Sequence, residues 1–309
     1  MKHLRLLLIP ALMLFLLNSA AAQNGFVVMS LKGKVEVKKP GKKSSWQAVQ
    51  VGEVLGKETT VRTSFASYVK LMMGESRLVS IDEKTTIKLT DFNRKSRGEI
   101  SASASGRLLE YAAKQVKNSR SKNDEPVFGA VRGNTEVFSA VFPKSYVMTT
   151  EPLFEWVDAD DAKNYEFVLL NDSFDVVTRA TLEDHSFRYD GGSKPALDND
   201  RQYHWRITRM SDGMESDIQS FRILPADTIA AVIEEIANLD EELTKMGADE
   251  VTLHLIRAIY FERKSLYTNA FLEYKETVRL APEVEEYRQM LRNLLFQMKM
   301  YAEEEYLLK

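Results

Sequence analysis

The spacing of apolar residues changes sharply at Pro225. From Phe26 to Leu89, and again from Lys144 to Leu224, apolar residues fall in short runs, many of them alternating. Beyond Pro225, Ile229, Val232, Ile233, Ile236, Leu239, Leu243 and Met246 step by three or four. Period two marks a half-buried strand and a period near 3.6 marks a helix, so the two patterns predict β-regions followed by an all-α region. The 309 residues include no Cys. No disulfide or thiolate metal site can therefore compensate for a thin core, and packing alone must hold each part together.

The chain opens with Lys2 and Arg5, an apolar run from Leu6 to Leu17, and Ala20-Ala21-Ala22. That order is a secretory signal peptide over residues 1–22, with the mature start expected at Gln23. The apolar run is about 12 residues, short of the roughly 20 that cross a bilayer. Removing residues 1–22, with Lys2 and Arg5, leaves 40 basic and 45 acidic residues, a formal charge of -5 with both signs along the chain. Such a balance argues against a nucleic-acid partner.

At about 287 mature residues the length suits two or three small domains, and changes in composition indicate three. The pieces FVVM, KGKVEVKK, WQAVQVG, SYVKLMM, RLVSI and TTIKL read as strands of a first domain, 25–92. Residues 93–143 turn to Ser, Lys, Arg and small residues. Here we expect a linker with one short helix, RLLEYAAKQV, in which Leu108, Tyr111, Ala112 and Val116 recur at helical spacing. Strand signals return over 144–224 in PLFEWV, NYEFVLLN, DVVTRATL, SFRYD, QYHWRITRM and QSFRIL, separated by polar turns about every ten residues. This spacing predicts an antiparallel sandwich. Phe154 and Trp156, like Tyr203 and Trp205, then point to one face of their strands and fill its core. The helical region, 226–309, begins with a helix capped by Asp227 and stopped at Gly247. Helices over 250–266, 268–280 and 284–299 follow, with Pro282 where it can open the last.

Three resemblances rest on these residues. The early Gly33-x-Val35-x-Val37, then VQVGEVL with Gly52, then VRTSFASYVKLMM and RLVSIDEKTTIKL, resemble the FecR-like domain of bacterial envelope proteins over about 65 residues. The resemblance implies a small β-roll exposed to the periplasm. In that family a cytoplasmic sigma-factor-regulating segment and a membrane span precede the domain, and this chain departs from the plan. Pro152, Phe154, Trp156, Tyr165, Tyr203, Trp205 and the closing SFRIL make the middle region similar to a fibronectin type III sandwich. Ala258, Phe261, Ala270, Tyr274 and Pro282 resemble a tetratricopeptide repeat, whose small and aromatic residues let two antiparallel helices pack closely. His254, Arg257 and Thr277 depart from that pattern, and residues 285–309 suggest a degenerate second repeat.

Catalytic signatures are missing. The sequence has no HExxH, GxSxG, phosphate-binding lysine loop or dinucleotide glycine fingerprint, and after the signal only His185, His204 and His254 remain. We expect no enzyme activity and no cofactor or metal. Alternation places His204 on the solvent side of its strand. Asp158, Asp160, Asp161, Asp198 and Asp200 offer hard oxygen ligands for Ca²⁺ but lack the glycine and distal Glu of a calcium loop, so solvated turns are the expectation. Lys114, Lys117, Arg120 and Lys122 form a basic stretch able to attract an anionic polymer, against the simpler reading of a solvated linker.

The repeat resemblance leaves one side of its first helix free to line a groove, and Thr252, Leu255, Ile259, Glu262 and Arg263 are the candidate partner-binding residues. Burial of Leu255 and Ile259 under the preceding helix is the competing reading. The expectation as a whole is an exported, periplasmic or envelope-associated, non-enzymatic interaction or scaffold protein. It binds an envelope protein through its helical repeat and has no transmembrane segment after signal cleavage. The alternatives are a polysaccharide- or peptidoglycan-binding module and a periplasmic sensor component related to FecR regulators.

Overall fold

The computed structural model describes residues 25–41, 44–74, 77–91, 104–121, 137–192, 194–300, 303 and 307. The expected signal peptide and most of the linker outside its helix fall outside them. The chain divides into two compact units, residues 1–124 with 241–253, and residues 125–240 with 254–309.

In the first unit, eight short strands make two four-stranded sheets. Strands β1 (Phe26–Lys32), β4 (Val54–Leu55), β6 (Tyr68–Met73) and β7 (Arg77–Ile81) form one, in the order β4-β1-β6-β7. Strands β2 (Val35–Lys38), β3 (Gln47–Ala48), β5 (Thr60–Thr63) and β8 (Thr86–Lys88) form the other, in the order β3-β2-β5-β8. The alternation foreseen in KVEVKK is kept: Val35 and Val37 are buried while Lys38 is exposed.

A helix, α1 (Ala104–Ser121), packs against β1. It is longer than the expected RLLEYAAKQV. It is also not a bare linker, because Leu109, Ala112, Ala113 and Val116 are fully buried. Gly52 shows how close it comes. At φ +75° it occupies the left-handed region, and a Cβ there would stand 2.9 Å from the Val116 carbonyl oxygen. A bulge at Met29 shifts the register of β1, after which Ser30 pairs with Lys70. The Ser30 hydroxyl donates to Asp249 Oδ2 at 2.7 Å, and Asp249 Oδ1 accepts the Thr252 amide at 2.9 Å. Asp249 thus caps the helix that follows it.

The second unit opens with β9 (Phe138–Phe142), which lies within the expected linker yet belongs to the sandwich. One sheet has the order β14 (Ser186–Arg188), β11 (Leu153–Asp158), β9. The other runs β10 (Ser145–Val147), β16 (Gln219–Ile223), β15 (Gln202–Arg209), β12 (Tyr165–Leu170), β13 (Val176–Leu182). All pairings are antiparallel except β10 with β16. Between the sheets, Phe154 meets Phe167, Trp205 and Phe221 edge-on at centroid distances of 4.7, 5.1 and 5.7 Å. Such aromatic packing fills the core without a disulfide.

Among the described residues four helices follow: α2 (Ala226–Lys245), α3 (Glu250–Arg263), α4 (Tyr267–Leu280) and α5 (Glu285–Gln297). Helix α2 starts one residue before Asp227, with the Ile229 amide bonded to the Pro225 carbonyl, so Asp227 sits in the first turn and not at the cap. It ends as expected. Gly247 at φ +81° lets the Ala248 amide reach Leu243 O and the Gly247 amide reach Thr244 O, a Schellman closure. Ala258, Phe261, Ala270 and Tyr274 are buried, whereas Ile233, foreseen on the apolar stripe of α2, is exposed.

Sandwich and helices in this unit are joined by more than the chain at Pro225. Phe142 packs on Phe271 at 4.7 Å, and the Ser145 hydroxyl donates to Ser265 O at 3.2 Å. Lys144 Nζ donates to Met298 O at 3.1 Å, meeting the negative end of α5. Burial pushes the Lys144 pKa down.

Candidate functional site

The side chains singled out on α3 do not form an open groove. Thr252, Leu255 and Ile259 are 1%, 0% and 0% exposed, so the competing reading of internal packing holds for the apolar pair. Glu262 is half-buried and accepts the Tyr274 hydroxyl at 2.7 Å; burial raises its pKa, and the hydrogen bond only partly offsets this. Arg263, at the last turn, is exposed. The 3.6-residue pattern groups five residues of which Thr252, Leu255 and Ile259 are buried, Glu262 half-buried and Arg263 exposed, and it could not say what covers them.

A different surface emerges at one end of the sandwich. Three connections meet there: residues 159–164 after β11, 183–185 after β13, and 210–218 between β15 and β16. Their organiser is Arg209, at the inward-facing end of β15 and only 3% exposed. Its guanidinium pairs with Asp160, lies 3.6 Å from Asp158 and, through Nε, 3.6 Å from Asp212. Burial works against the charge on Arg209, but these three carboxylates outweigh it and hold the pKa above its ordinary value. Asp158 is as deeply buried, and Tyr165 Oη donates to its Oδ2 at 2.9 Å.

Tyr165 Oη also lies 2.8 Å from His185 Nε2 and within bonding distance of Ala162 O. A phenol has one proton to give, and Asp158 and Ala162 offer only acceptors, so satisfying the site makes His185 Nε2 the donor. Burial, followed by the Asp158 bond, raises the Tyr165 pKa and keeps the phenol neutral. Two loops are thereby tied to the strands beneath them.

The third loop is set by the same arginine. The Arg209 amide bonds Met214 O at 2.8 Å, Nη2 approaches Met214 Sδ at 3.0 Å, the Met214 amide reaches Asp212 Oδ1, and the Met210 amide reaches Asn164 O at 3.1 Å. Gly213, at φ +76°, closes the turn. Out of this fixed backbone Met210, Met214 and Ile218 stand 55%, 36% and 48% exposed. A rigid scaffold with adaptable apolar side chains on its loops is the arrangement that recognition sites use. The sequence carried a signal here, the D-G turn within MSDGME between two strands, but spacing alone could not link it to Asp158 and Asp160 some fifty residues earlier.

The other candidates resolve as follows. Asp160 pairs with Arg209, Asp158 accepts the Tyr165 hydroxyl and the Asp160 amide with Arg209 3.6 Å away, and Asp200 binds Arg222 at 2.7 Å. Among the described residues no group of His, Cys, Asp or Glu side chains is arranged to hold a metal. His204 does sit on the outward side of β15, opposite Ser220, yet it is 7% exposed. Phe174 lies flat on its ring at 4.3 Å and covers it. Phe154, Trp156, Tyr203 and Trp205 are buried, which leaves them no role as a surface platform for sugars. Lys114 and Lys117 are exposed on α1, Arg120 pairs with Glu53 at 3.5 Å, and Lys122 lies outside the described residues.

No family model matches the chain, and no curated protein does. Solved structures with partial similarity include the adhesin domain of Epf from Streptococcus pyogenes, at 16% identity over 29% of this chain and 34% of that one, TM-score 0.23. CopC from Methylosinus trichosporium OB3b aligns at 13% identity over 28% of this chain and 94% of its own, TM-score 0.21. The FN1-FN3 domains of chicken CNTN1 align at 13% identity over 64% and 53%, TM-score 0.19. The chain spans about a third of the adhesin structure and about half of the CNTN1 structure. At these scores the overlaps carry no argument, and the sandwich rests on its own sheet order.

Proposed function

We propose that this is an exported, non-enzymatic interaction or scaffold protein of the bacterial cell envelope. In this reading the first unit is a FecR-like module, the middle region a fibronectin type III-like sandwich, and α3 with α4 a tetratricopeptide-like hairpin. The observation that carries it is the loop end of the sandwich, where Met210, Met214 and Ile218 are held in solvent by a backbone that Arg209 fixes from within. A preorganised loop backbone has little conformational freedom left to lose on binding, and its exposed apolar side chains can adapt to the surface of another protein. The helices hold the sandwich by the Phe142 and Lys144 contacts and serve as its mount. Partner contact thereby moves from Leu255 and Ile259 to the sandwich loops.

In-cell cross-linking followed by pull-down tests the proposal, comparing the full chain with a Met210→Ser, Ile218→Ser variant that leaves the Met214 contact to Arg209 in place. The variant is expected to keep its melting temperature and lose the cross-linked partner. An identical cross-linking pattern for both proteins would refute this assignment. N-terminal sequencing from the periplasmic fraction tests export separately, with Gln23 as the expected first residue.

A further inference from the structure

Charge is divided unequally along the chain. Residues 23–124 contain 20 Lys or Arg against 10 Asp or Glu, while residues 125–309 contain 20 against 35. The near-neutral total conceals a basic first module and an acidic remainder, and a basic module is drawn to polyanions.

The sheet β3-β2-β5-β8 shows where such a ligand would lie. Its inward side chains, Val35, Val37, Val61 and Thr63, are buried. On the outer face Lys38, Thr60 and Lys88 form one row across three strands, and Glu36, Arg62 and Thr86 form the next. Neighbouring strands are about 4.8 Å apart, so Lys38 and Lys88 rise about 10 Å from each other with a threonine hydroxyl between them. Lys34 extends the same side of β2 and lies 3.7 Å from Glu36, its side chain 68% exposed. Arg62 is fixed from two sides, by Glu36 at 2.7 Å and by the ring of Trp46, whose centroid lies 4.1 Å from the guanidinium carbon. Among the described residues of this face four cations, Lys34, Lys38, Arg62 and Lys88, meet two carboxylates, Glu36 and Glu58, the latter paired with Lys88.

We propose that this face binds an anionic polysaccharide, with Lys34, Lys38 and Lys88 meeting its carboxylates and Thr60 and Thr86 its hydroxyls. The choice of polymer rests on the reading of the chain as exported, which places it among envelope glycans. A flat polar face with regularly spaced cations fits a polymer of charged sugars. Trp46 is half-buried under Arg62, and Phe65, 72% exposed in the turn after β5, has the Lys84 ammonium 4.8 Å from its ring, so among the described residues this face presents single aromatic side chains beside cations and no apolar cluster to enter a lipid layer.

The test is binding of the full mature chain to polygalacturonate, a uronic acid polymer, across a salt series. Lys34→Gln, Lys38→Gln, Lys88→Gln together should weaken binding about tenfold or more and flatten its salt dependence. Lys114→Gln with Lys117→Gln, on the exposed side of α1, should leave it within about twofold, a span that local attraction screened over roughly 10 Å permits. Equal loss in both variants would reduce the effect to net charge and overturn the site. Tighter binding of phosphatidylglycerol vesicles or single-stranded DNA through the same three lysines would overturn the ligand class. Finding Met1 intact in cells would defeat the export reading while leaving this binding in vitro unaffected.

Discussion

Replacing Arg209 by Met tests how the loop end is held. The substitution keeps an apolar stem of similar reach but removes a guanidinium that is 3% exposed. Asp160 and Asp212 have side chains about half exposed, and water can take over their solvation. Asp158, 1% exposed at its side chain, has no such recourse. Removing one partner of a buried ion pair costs about 3–5 kcal/mol, because the other charge is stranded. Asp158 would still accept the Tyr165 hydroxyl and the Asp160 amide at 3.1 Å, which places the expected loss near the lower end, at about 3 kcal/mol. For a unit of this size that is a fall in melting temperature of roughly 6–12 °C. Urea unfolding followed by tryptophan fluorescence, with Trp156 and Trp205 in the same core, measures it. Asp158→Asn combined with Arg209→Met removes both charges and keeps an acceptor for Tyr165, so the double variant should recover to within about 1 kcal/mol of the parent. A single variant costing less than about 1 kcal/mol, or a double variant worse than the single, would show that the pair does not carry a desolvated charge.

Three further outcomes follow from burial. Leu255→Ala and Ile259→Ala should each lower stability by about 2–5 kcal/mol in urea titrations, and an unchanged midpoint would return these residues to the surface. Gly52→Ala should cost about 1 kcal/mol or more and speed amide exchange in α1, because its φ of +75° and the nearby Val116 carbonyl both oppose a Cβ; unchanged exchange would contradict the close packing. Burial raises the pKa of Glu155, which Lys275 only partly offsets, and likewise that of Glu262. Groups with raised folded values contribute stability that is fully present below the ordinary carboxylate pKa and lost as pH rises through the folded one. Glu155→Gln with Glu262→Gln should therefore flatten that decline as pH rises above 4.5 in urea midpoints, and an equally steep decline in the variant would contradict it.

Local pattern was enough to read much of the chain. Alternation in KVEVKK and QYHWRITRM, and the three-and-four stepping that ends at Gly247, depend on near neighbours, and the strands and α2 appear close to where those patterns lie. What the pattern could not supply was contact between distant segments. FSAVF is too short and too apolar to declare its period, so β9 was hidden in the expected linker. The buried side of α1 is half alanine, which reads as neutral until a sheet lies against it. His204 obeys its alternation and is covered all the same, by a phenylalanine from a turn thirty residues earlier. At the loop end, alternation from Tyr203 and Trp205 carries Arg209 to the inward face, but the acids that let a guanidinium be buried there come from another connection.

The seat of Phe142 on Phe271, with Lys144 anchored at Met298 O, bears on how this part of the molecule would respond to force. A load applied to the sandwich has three routes into the helices: the covalent chain through Pro225, the packing of Ile229 from α2 on the sandwich core, and the side-chain contacts that β9 and β10 make with α4 and α5. Because the routes run in parallel, Pro225 cannot act as a swivel until both sets of side-chain contacts have been broken. A tug on Met210 or Met214 would then be felt by the helices as a torque on one stiff body, and the first rupture under tension should occur at Phe142 and not at the loop that grips the load.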